Sequence, residues 1–245
     1  MKIALISDIH SNLEALMACC DVAMKEGAER FICLGDMVGY GPDPVATLDY
    51  LYTLPGFTAV LGNHDESMFS HIESPNNPVV QKVAEWTEKQ LSRQHLDFLK
   101  SLPYEHVENG VTYVHASKYN PGEWRYIMKP EDAQKCMKAA STNLVFYGHI
   151  HIPMYFHELA DNTVDQFIPE EGKKIPLNLH QRYVINVGSV GQPRDDNNKA
   201  CFVIYDEEGH DITYHRVYYD YNETIRKIKE CKINDYFAER LILGQ

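Results

Sequence analysis

The chain has 245 residues, of which 44% are apolar and 24% charged, and its formal net charge is −12. This length and composition are typical of a globular α/β protein with a sizeable core. The acidic balance argues against binding to a nucleic-acid duplex, which needs clustered lysine and arginine, and against binding to an anionic membrane surface.

Apolar runs alternate with helical patterns over the first 65 residues. The runs at 3–6, 31–34 and 59–61 are typical of buried strands. The S-x-x-E pattern at 11–14 has the form of a capping box and predicts the start of a helix, and a short helix is predicted over 45–52. This order of strands and helices predicts a parallel sheet with helices on its faces.

The rest of the chain has two further helical patterns and then changes character. Helices are predicted over 78–102 and 130–140, and Glu108-Asn109-Gly110 between two alternating runs predicts a hairpin. Five strands are then predicted, at 154–158, 164–168, 183–187, 200–205 and 211–219. We predict a single domain over 1–245, with motifs at 8–151, a β-rich half at 154–219 and a closing amphipathic helix at 222–243.

The cysteines and the amino terminus bear on location. The six cysteines form no C-x-x-C pair, and several lie in apolar strand or helix patterns, so reduced structural thiols are predicted. Only four apolar residues, 3–6, precede Ser7, which is too short for a signal sequence. No run approaches the length of a membrane span. A cytoplasmic location is therefore expected.

Side chains that can bind metal follow five strand-like runs, at 3–6, 31–34, 59–61, 111–114 and 144–147. The carboxyl ends of such strands meet in the crevice where open α/β sheets bind ligands, so these side chains are expected to converge. They are Asp8, His10, Asp36, Asn63, His115, His149 and His151. Carboxylate, amide and imidazole ligands without thiolates suit Mn, Fe, Zn or Co. Seven groups are too many for one catalytic ion, but they suit two ions about 3.5–4 Å apart that share a carboxylate.

Two of these predictions have a structural alternative. His115 stands alone after its strand, and a satisfied core histidine is the alternative to a ligand. His149 and His151 would point to opposite faces of a continuing strand, so they can share a cluster only if the chain turns, which Gly148 permits. Apart from the four candidate histidine ligands and His64, which belongs to a motif with Asn63, seven histidines have no clustered partner and are predicted to be surface or structural. They are His71, His95, His106, His157, His180, His210 and His215.

Together the motifs resemble those of the calcineurin-like metallophosphoesterases, and the compact chain is most similar to the small prokaryotic phosphodiesterase branch of that family. All five motifs occur in the family's order: Asp8-x-His10, Gly35-Asp36, Gly62-Asn63-His64-Asp65, His115 and Gly148-His149-x-His151. One departure is Ala116, where many relatives have glycine. The resemblance implies an α/β four-layer sandwich in which two mainly mixed β-sheets are flanked by helices.

The resemblance also implies a role for each motif residue. Asp8, His10, Asp36 and His151 would hold one ion. Asp36, Asn63, His115 and His149 would hold the other, so that Asp36 bridges the two. His64 would contact the phosphate and protonate the leaving oxygen, with Asp65 orienting its imidazole and favouring the protonated form. Manganese or iron is expected, and zinc, nickel and cobalt are also compatible.

Other residues are candidates for the substrate pocket. The glycine-rich loop at 186–194 ends in Arg194, whose forked cation suits phosphate, and Asn12 lies one turn past the first ligand pair. Both are predicted substrate contacts, with an ordinary loop as the alternative. Tyr40 and its loop at 39–41 are a candidate pocket wall. Whether the segments at 117–125 and 161–181 act as a lid stays open.

The predicted function is hydrolysis of a phosphodiester or phosphoanhydride by a dinuclear metal-dependent phosphoesterase, through attack of a metal-bridging hydroxide. Alternatives are a dinucleoside polyphosphate (Ap4A-type) hydrolase, a phosphoprotein phosphatase and a non-enzymatic metal-binding scaffold of the same fold. Such scaffolds typically lack the histidine that matches His64. The expected partner is a small phosphorylated substrate, with a nucleotide among the candidates. A homodimer is compatible with the sequence but rests on no motif.

Overall fold

The computed structural model describes residues 1–70 and 78–245. Within these ranges the apolar runs form twelve strands and the amphipathic segments form eight α-helices. The strands are β1 (Lys2–Ile6), β2 (Arg30–Cys33), β3 (Thr58–Ala59), β4 (Glu105–Glu108), β5 (Val111–Val114), β6 (Leu144–Tyr147), β7 (Met154–Glu158), β8 (Val164–Phe167), β9 (Lys174–Pro176), β10 (Tyr183–Asn186), β11 (Ala200–Asp206) and β12 (Asp211–Val217). The helices are α1 (Leu13–Lys25), α2 (Pro44–Leu51), α3 (Asn63–Ser70), α4 (Pro78–Gln90), α5 (Arg93–Ser101), α6 (Pro130–Ala139), α7 (Tyr221–Glu230) and α8 (Asp235–Leu243).

The first sheet has the strand order β3-β2-β1-β11-β12-β9. Its three amino-terminal strands are parallel, as their alternation with helices predicts, and Leu5 of β1 pairs with Ile32 of β2. On its other side β1 runs antiparallel to β11, with Leu5 opposite Val203. The carboxyl ends of β1, β2 and β3 therefore lie together at one end of the sheet.

The second sheet has the strand order β4-β5-β6-β10-β7-β8. Here β5, β6 and β10 are parallel, and Phe146 of β6 pairs with Tyr113 on one side and with Ile185 on the other. The loops that follow the parallel strands of the two sheets meet, because Val190 donates its backbone N–H to the carbonyl of Ser7 at 2.9 Å. Both sheets thus direct their carboxyl-end loops to one region.

The main core lies between the two sheets. It includes Leu5 and Ile32 from the first sheet and Phe146 and Ile185 from the second, all fully buried. On the outer faces, α1 and α2 pack against the first sheet and α6 packs against the second. Strands covered on both faces are apolar throughout, which is why they appear in the sequence as continuous runs. The predicted four-layer sandwich of two mixed sheets flanked by helices is confirmed.

Two predicted helices are each divided into two. The helix expected over 78–102 ends at Gln90 and begins again at Arg93, because Ser92 caps the second part by accepting the N–H of His95 at 3.3 Å. The helix expected over 222–243 is likewise interrupted between α7 and α8, where Asn234 caps α8. Both predictions of one continuous helix are therefore wrong, and the cause is a capping side chain that the apolar periodicity conceals.

Some local predictions also need correction. The helix α1 begins at Leu13 and is capped by Asn12, so the predicted capping box that starts at Ser11 does not form. The helix α3 and the short strand β9 were not predicted. The segment at 161–181, one of two candidate lids, supplies β8 and β9, which are the last strands of the second and first sheets. None of the helices within 1–70 and 78–245 has the length and apolar character needed to cross a membrane.

The helices α7 and α8 form a hairpin beside the loops described above. Ile228 of α7 and Phe237 of α8 pack in one apolar cluster with Val83 of α4. Lys227 binds the carboxylate of Asp43 at 2.8 Å and also pairs with Glu14 of α1. These contacts fix the hairpin over the end of the first sheet.

Candidate metal centre

The backbone of the ligand loops is unusual. Five of the seven predicted ligands have positive φ angles: Asp8 (52°), His10 (49°), Asp36 (53°), His149 (69°) and His151 (60°). Side chains other than glycine rarely adopt this conformation, and such strain is concentrated at functional sites. Left-handed turns at His149 and His151 bring both rings to the cluster. Gly148 permits close approach, since a Cβ there would lie 1.9 Å from Ser7 Oγ.

The first ligand group consists of Asp8, His10 and His151, all buried. Nε2 of His151 lies 3.2 Å from Oδ1 of Asp8 and 3.2 Å from Nε2 of His10. The other nitrogen of each ring donates to a backbone carbonyl, that of Gln192 for His151 (2.6 Å) and that of Val38 for His10 (3.3 Å). A carbonyl only accepts, so each Nε2 carries a lone pair directed at the group centre.

The second group consists of Asp36, His115 and His149. Nε2 of His115 lies 3.3 Å from Oδ2 of Asp36 and 3.2 Å from Nδ1 of His149. The amide oxygen of Asn63 lies 3.1 Å from the same Nε2, so Asn63 joins this group. Unlike the other ligand histidines, His149 presents Nδ1 to its group, because its Nε2 donates to the carbonyl of Trp124 at 3.0 Å.

Asp36 stands between the two groups. Its Oδ2, which faces His115, also lies 3.7 Å from Nε2 of His10 in the first group. Its Oδ1 accepts the backbone N–H of His64 at 2.8 Å, which holds the carboxylate in place. The structure therefore brings all seven predicted ligands together, with Asp36 at the junction that a shared carboxylate requires.

The charges of the cluster suit a cation. Burial opposes ionisation of Asp8 and Asp36, but neighbouring imidazoles hold the pKa of each carboxylate below its usual value. Burial lowers the pKa of His10 and His151, so both rings are neutral and their facing lone pairs repel unless a cation lies between them. In the second group Asp36 outweighs burial and raises the pKa of His115 to about 9.

This donor set fits metal ions. Buried anionic oxygens and neutral imidazole nitrogens converge in both groups, and the proton held by His115 marks the place that a cation would take in the second group. No cysteine of the described chain belongs to either group, as predicted from the ligand types.

His64 lies beside the first group, but its predicted relation to Asp65 is wrong. The ring centroid of His64 is 4.3 Å from that of Tyr40 and 4.9 Å from that of His10. The carboxylate of Asp65 instead accepts backbone N–H groups of Met37 (2.9 Å), Val38 (3.2 Å) and Gly62 (3.2 Å). Asp65 therefore fixes the loops that carry the ligands, and it does not orient the imidazole of His64.

The surroundings of His64 favour its neutral ring over the expected cation. Burial lowers its pKa, and Arg194 acts in the same direction against the opposing effect of Asp36. Burial and Asp36 raise the pKa of Asp65 to about 7, against the lowering effect of the backbone N–H groups of Val38 and Gly62. The neutral ring still offers one N–H donor to a ligand.

Asn12 has a structural role in place of the predicted substrate contact. Its side-chain oxygen accepts the N–H of Ala15 at 3.1 Å, as the cap of α1, and the hydroxyl of Thr224 at 3.2 Å. Its side-chain nitrogen donates to the carbonyl of Gly191 at 2.9 Å and to the hydroxyl of Tyr219 at 3.2 Å. All four hydrogen-bonding positions of the amide are thus occupied by the protein.

Arg194 lies where the sequence predicts it, next to the first ligand group. Its backbone N–H donates to the carbonyl of His151 at 3.1 Å. Its guanidinium binds the side-chain oxygen of Gln192 at 2.9 Å and lies 5.9 Å from the ring centroid of Tyr40. Tyr40, the candidate wall residue, lies against His10 with a centroid separation of 4.5 Å and an angle of 36° between the rings.

Comparison with known proteins decides the family. The calcineurin-like phosphoesterase superfamily domain matches residues 1–210. The chain belongs to this superfamily. Over its full length it is similar to a metallophosphoesterase from Sphaerobacter thermophilus, whose crystal structure is 35% identical, with a TM-score of 0.90 and coverage of 100% of this chain and 99% of that one. The family resemblance is therefore confirmed.

Other proteins similar to this chain differ in the identity and the length that they share with it. An uncharacterized protein of Methanocaldococcus jannaschii is 37% identical over 99% of this chain and 98% of its own length. A symmetrical bis(5'-nucleosyl)-tetraphosphatase of Pseudomonas fluorescens is 30% identical over 49% of this chain and 43% of its own length. A protein of Pyrococcus horikoshii OT3 shares the fold, with 18% identity and a TM-score of 0.80.

The segment at 117–125 contacts the second ligand group. The backbone carbonyl of Trp124 accepts from His149, and its indole N–H donates to Glu66 at 3.1 Å. Tyr126, just beyond the segment, stacks on His149 with a centroid separation of 4.5 Å and is 57% exposed. Trp124, Tyr126 and Gln192 contact ligand histidines and were not predicted to do so. The signal available for Trp124 and Tyr126 was a pair of aromatic residues that follows the lone ligand His115 in the sequence.

The remaining histidines lie apart from the site. His71 lies outside the described residues. His95 helps to cap α5 and binds Asp49 at 3.1 Å, and His215 stacks on Phe202. Within the described ranges, the ligand groups include none of the six that can be placed.

Proposed function

We propose that this protein is a dinuclear metal-dependent phosphoesterase that hydrolyses a phosphodiester or phosphoanhydride. One observation carries the proposal: two buried ligand groups from five loops share the carboxylate of Asp36. Asp8, His10, Asp36 and His151 would hold one ion, and Asp36, Asn63, His115 and His149 would hold the other. We propose manganese or iron as the native metal, since these ligand types suit both.

Bound metal ions would polarise a phosphoryl group and lower the pKa of a water molecule to near neutrality. The chain's own residues prepare the site for this chemistry. The backbone carbonyls of Val38, Leu34 and Gln192 hold three imidazoles in the tautomer that directs a lone pair inward. Asp65 ties together the loops that carry Asp36 and Asn63, so the ligands keep their spacing before substrate binds.

His64 is the proposed hydrogen-bond donor to the reacting phosphate and its leaving oxygen. It is half-buried beside the first ligand group, and its backbone is anchored to Asp36. Packing between Tyr40 and His10 limits the rotation of its ring. A donor held in position before the reaction stabilises charge that develops on oxygen without reorganisation.

A small nucleotide is the proposed class of substrate, with a dinucleoside polyphosphate hydrolase as the second candidate function. The partial similarity to two bacterial symmetrical bis(5'-nucleosyl)-tetraphosphatases supports it. The presence of His64 beside complete ligand groups favours an enzyme over a metal-binding scaffold. The six free cysteines support the further proposal of a cytoplasmic location. We also propose that residues 1–245 form a single domain.

The test is hydrolysis of bis(p-nitrophenyl) phosphate by protein that is stripped with chelator and then resupplied with manganese. Activity should return with the metal. The His64→Ala variant should retain both ions by elemental analysis and lose roughly 10²–10³-fold in turnover. His180→Ala, at an exposed histidine, is the matched control and should behave as wild type.

Two outcomes would contradict the proposal. A wild-type rate in His64→Ala would remove the assigned role of that residue. Metal binding without turnover of the diester, of nucleotides or of dinucleoside polyphosphates would favour the scaffold.

A further inference from the structure

Arg194 and Arg240 stand out among the eight arginines. Each of the other six forms an ion pair with a carboxylate. Within the described ranges, Arg194 instead binds the neutral side chain of Gln192, and Arg240 binds the main-chain oxygen of Gln245, so neither pairs with a side-chain carboxylate. Both are half-buried, although the chain has a net charge of −12 and thus an excess of acidic partners.

Hydrogen bonds between their two segments hold these arginines in the same region of the fold. Asp196 donates its backbone N–H to the carbonyl of Gly244 at 2.9 Å and accepts from the side chain of Gln245 at 3.0 Å. These contacts tie the loop after Arg194 to the end of α8, one turn beyond Arg240. Burial lowers the pKa of Arg240, and the charge of Arg194 lowers it further, as expected for neighbouring cations.

The pair adjoins the candidate metal centre. The guanidinium of Arg194 faces the ring of Tyr40, and that ring stacks on Phe237 with a centroid separation of 5.0 Å. Phe237 precedes Arg240 by three positions and so lies on the same side of α8. Tyr40 in turn contacts His64 and His10. The two cations and the first ligand group therefore border one region.

Two partly buried like charges close to each other, with no side-chain carboxylate partner among residues 1–70 and 78–245, are unfavourable in the free protein. The arrangement is explained if an anionic group binds between them, because guanidinium groups bind phosphate through paired, charge-assisted hydrogen bonds. The metal centre would already hold one phosphoryl group. A second phosphoryl group of the same molecule would reach the arginines.

We propose that Arg194 and Arg240 form a second phosphate subsite, so that the preferred substrates carry at least two linked phosphoryl groups. This inference rests on the proposed function for the position of the first phosphoryl group. It names the substrate class as phosphoanhydrides such as nucleoside polyphosphates, in preference to simple phosphodiesters. Arg240 lies beyond residues 1–210, the part that the family domain matches, so the subsite combines a family loop with the carboxyl-terminal helix.

The experiment compares two non-hydrolysable ligands by calorimetry in saturating manganese. Methylenediphosphonate has two linked phosphorus groups and methylphosphonate has one. In the Arg240→Ala variant the ratio of the two affinities should fall roughly tenfold or more, since a hydrogen bond to a charged group is lost. Arg240→Lys should recover part of the preference, because it keeps the charge but not the fork. Arg226→Ala, on α7 and paired with Glu223, is the matched control and should keep the wild-type ratio.

The outcomes separate this inference from the proposed function. An unchanged ratio in Arg240→Ala would overturn the subsite, and so would binding of two equivalents of methylphosphonate per chain, which indicates an independent anion site. Should Arg240→Ala fail to fold, Arg240→Gln and Arg240→Lys carry the same comparison. A protein without turnover of any ester that still shows the Arg240-dependent preference would contradict the phosphoesterase activity alone.

Discussion

Oxygen Oδ2 of Asp36 lies 3.3 Å from Nε2 of His115, and the same oxygen faces His10 of the other ligand group at 3.7 Å. One carboxylate thus serves both groups. Asp36→Asn keeps the shape but removes the charge, so both groups should lose metal affinity by more than the roughly 10–100-fold typical of residues that only orient ligands. Elemental analysis after dialysis measures the effect. Asp49→Asn, at a carboxylate that binds His95, is the control. Two ions retained per chain in Asp36→Asn would refute the bridge.

The positions of the ligands could be predicted because each sequence signal is local and the strand topology brings the separate ligands together. Asp36 and His115 come within three residues of the end of an apolar run that forms a strand, and parallel strands bring their carboxyl ends together. The role of Asp65 could not be predicted in this way. Its partners Met37 and Val38 lie 28 and 27 residues earlier, whereas the sequence offers only the adjacent imidazole of His64.

Long-range contacts explain the other errors. Asn12 lies one turn past two ligands, which suggests a substrate contact, but its partner Thr224 is 212 residues away. The contact of Asp196 with the end of α8 likewise depends on a helix break near Asn234 that the apolar pattern does not show. Periodicity locates helices and strands, but the use of a polar side chain is decided by neighbours from distant parts of the chain.

Replacing Asn12 should affect stability more than substrate affinity. Asn12→Ala removes the cap of α1, which costs about 1–2 kcal/mol of unfolding free energy, and it leaves the carbonyl of Gly191 without its donor. Urea unfolding measures the loss. Asn12→Asp keeps the capping oxygen and should recover part of the stability. A variant as stable as wild type but with a raised KM would show that Asn12 contacts substrate after all.

Gly191 is required by close packing of two loops. A Cβ at this position would lie 1.7 Å from the carbonyl oxygen of Ile9, which belongs to rigid backbone between two ligands. Gly191→Ala should therefore lower the unfolding free energy by about 3 kcal/mol or more, because the loops must separate. Gly122→Ala is the control, since its Cβ would meet Tyr104 only at 3.4 Å. Equal urea midpoints for the two variants would contradict the predicted clash.

The cysteines should differ in reactivity according to their burial. Cys19, Cys20, Cys33, Cys136 and Cys201 are buried, and burial raises the pKa of Cys20 and Cys201 to about 12. Cys231 is partly exposed in the turn after α7. A thiol reagent should therefore label one cysteine in the folded protein and six after unfolding, because the reactive form is the accessible thiolate. Cys231→Ser should abolish labelling of the folded protein, and labelling that persists would show that a buried thiol is accessible.

His215 should make stability depend on pH. It is half-buried against Phe202, and burial lowers its pKa below that of a free histidine, about 6.5. As the pH falls through this value the unfolded chain binds a proton before the folded chain does, so the unfolding free energy decreases. In His215→Phe this contribution is absent, and the loss of stability between about pH 7 and pH 5 should be smaller than in wild type. Other histidines titrate in both proteins, so the difference between the two urea series isolates His215. Identical pH slopes, with His180→Gln as an exposed control, would show that burial does not perturb this ring.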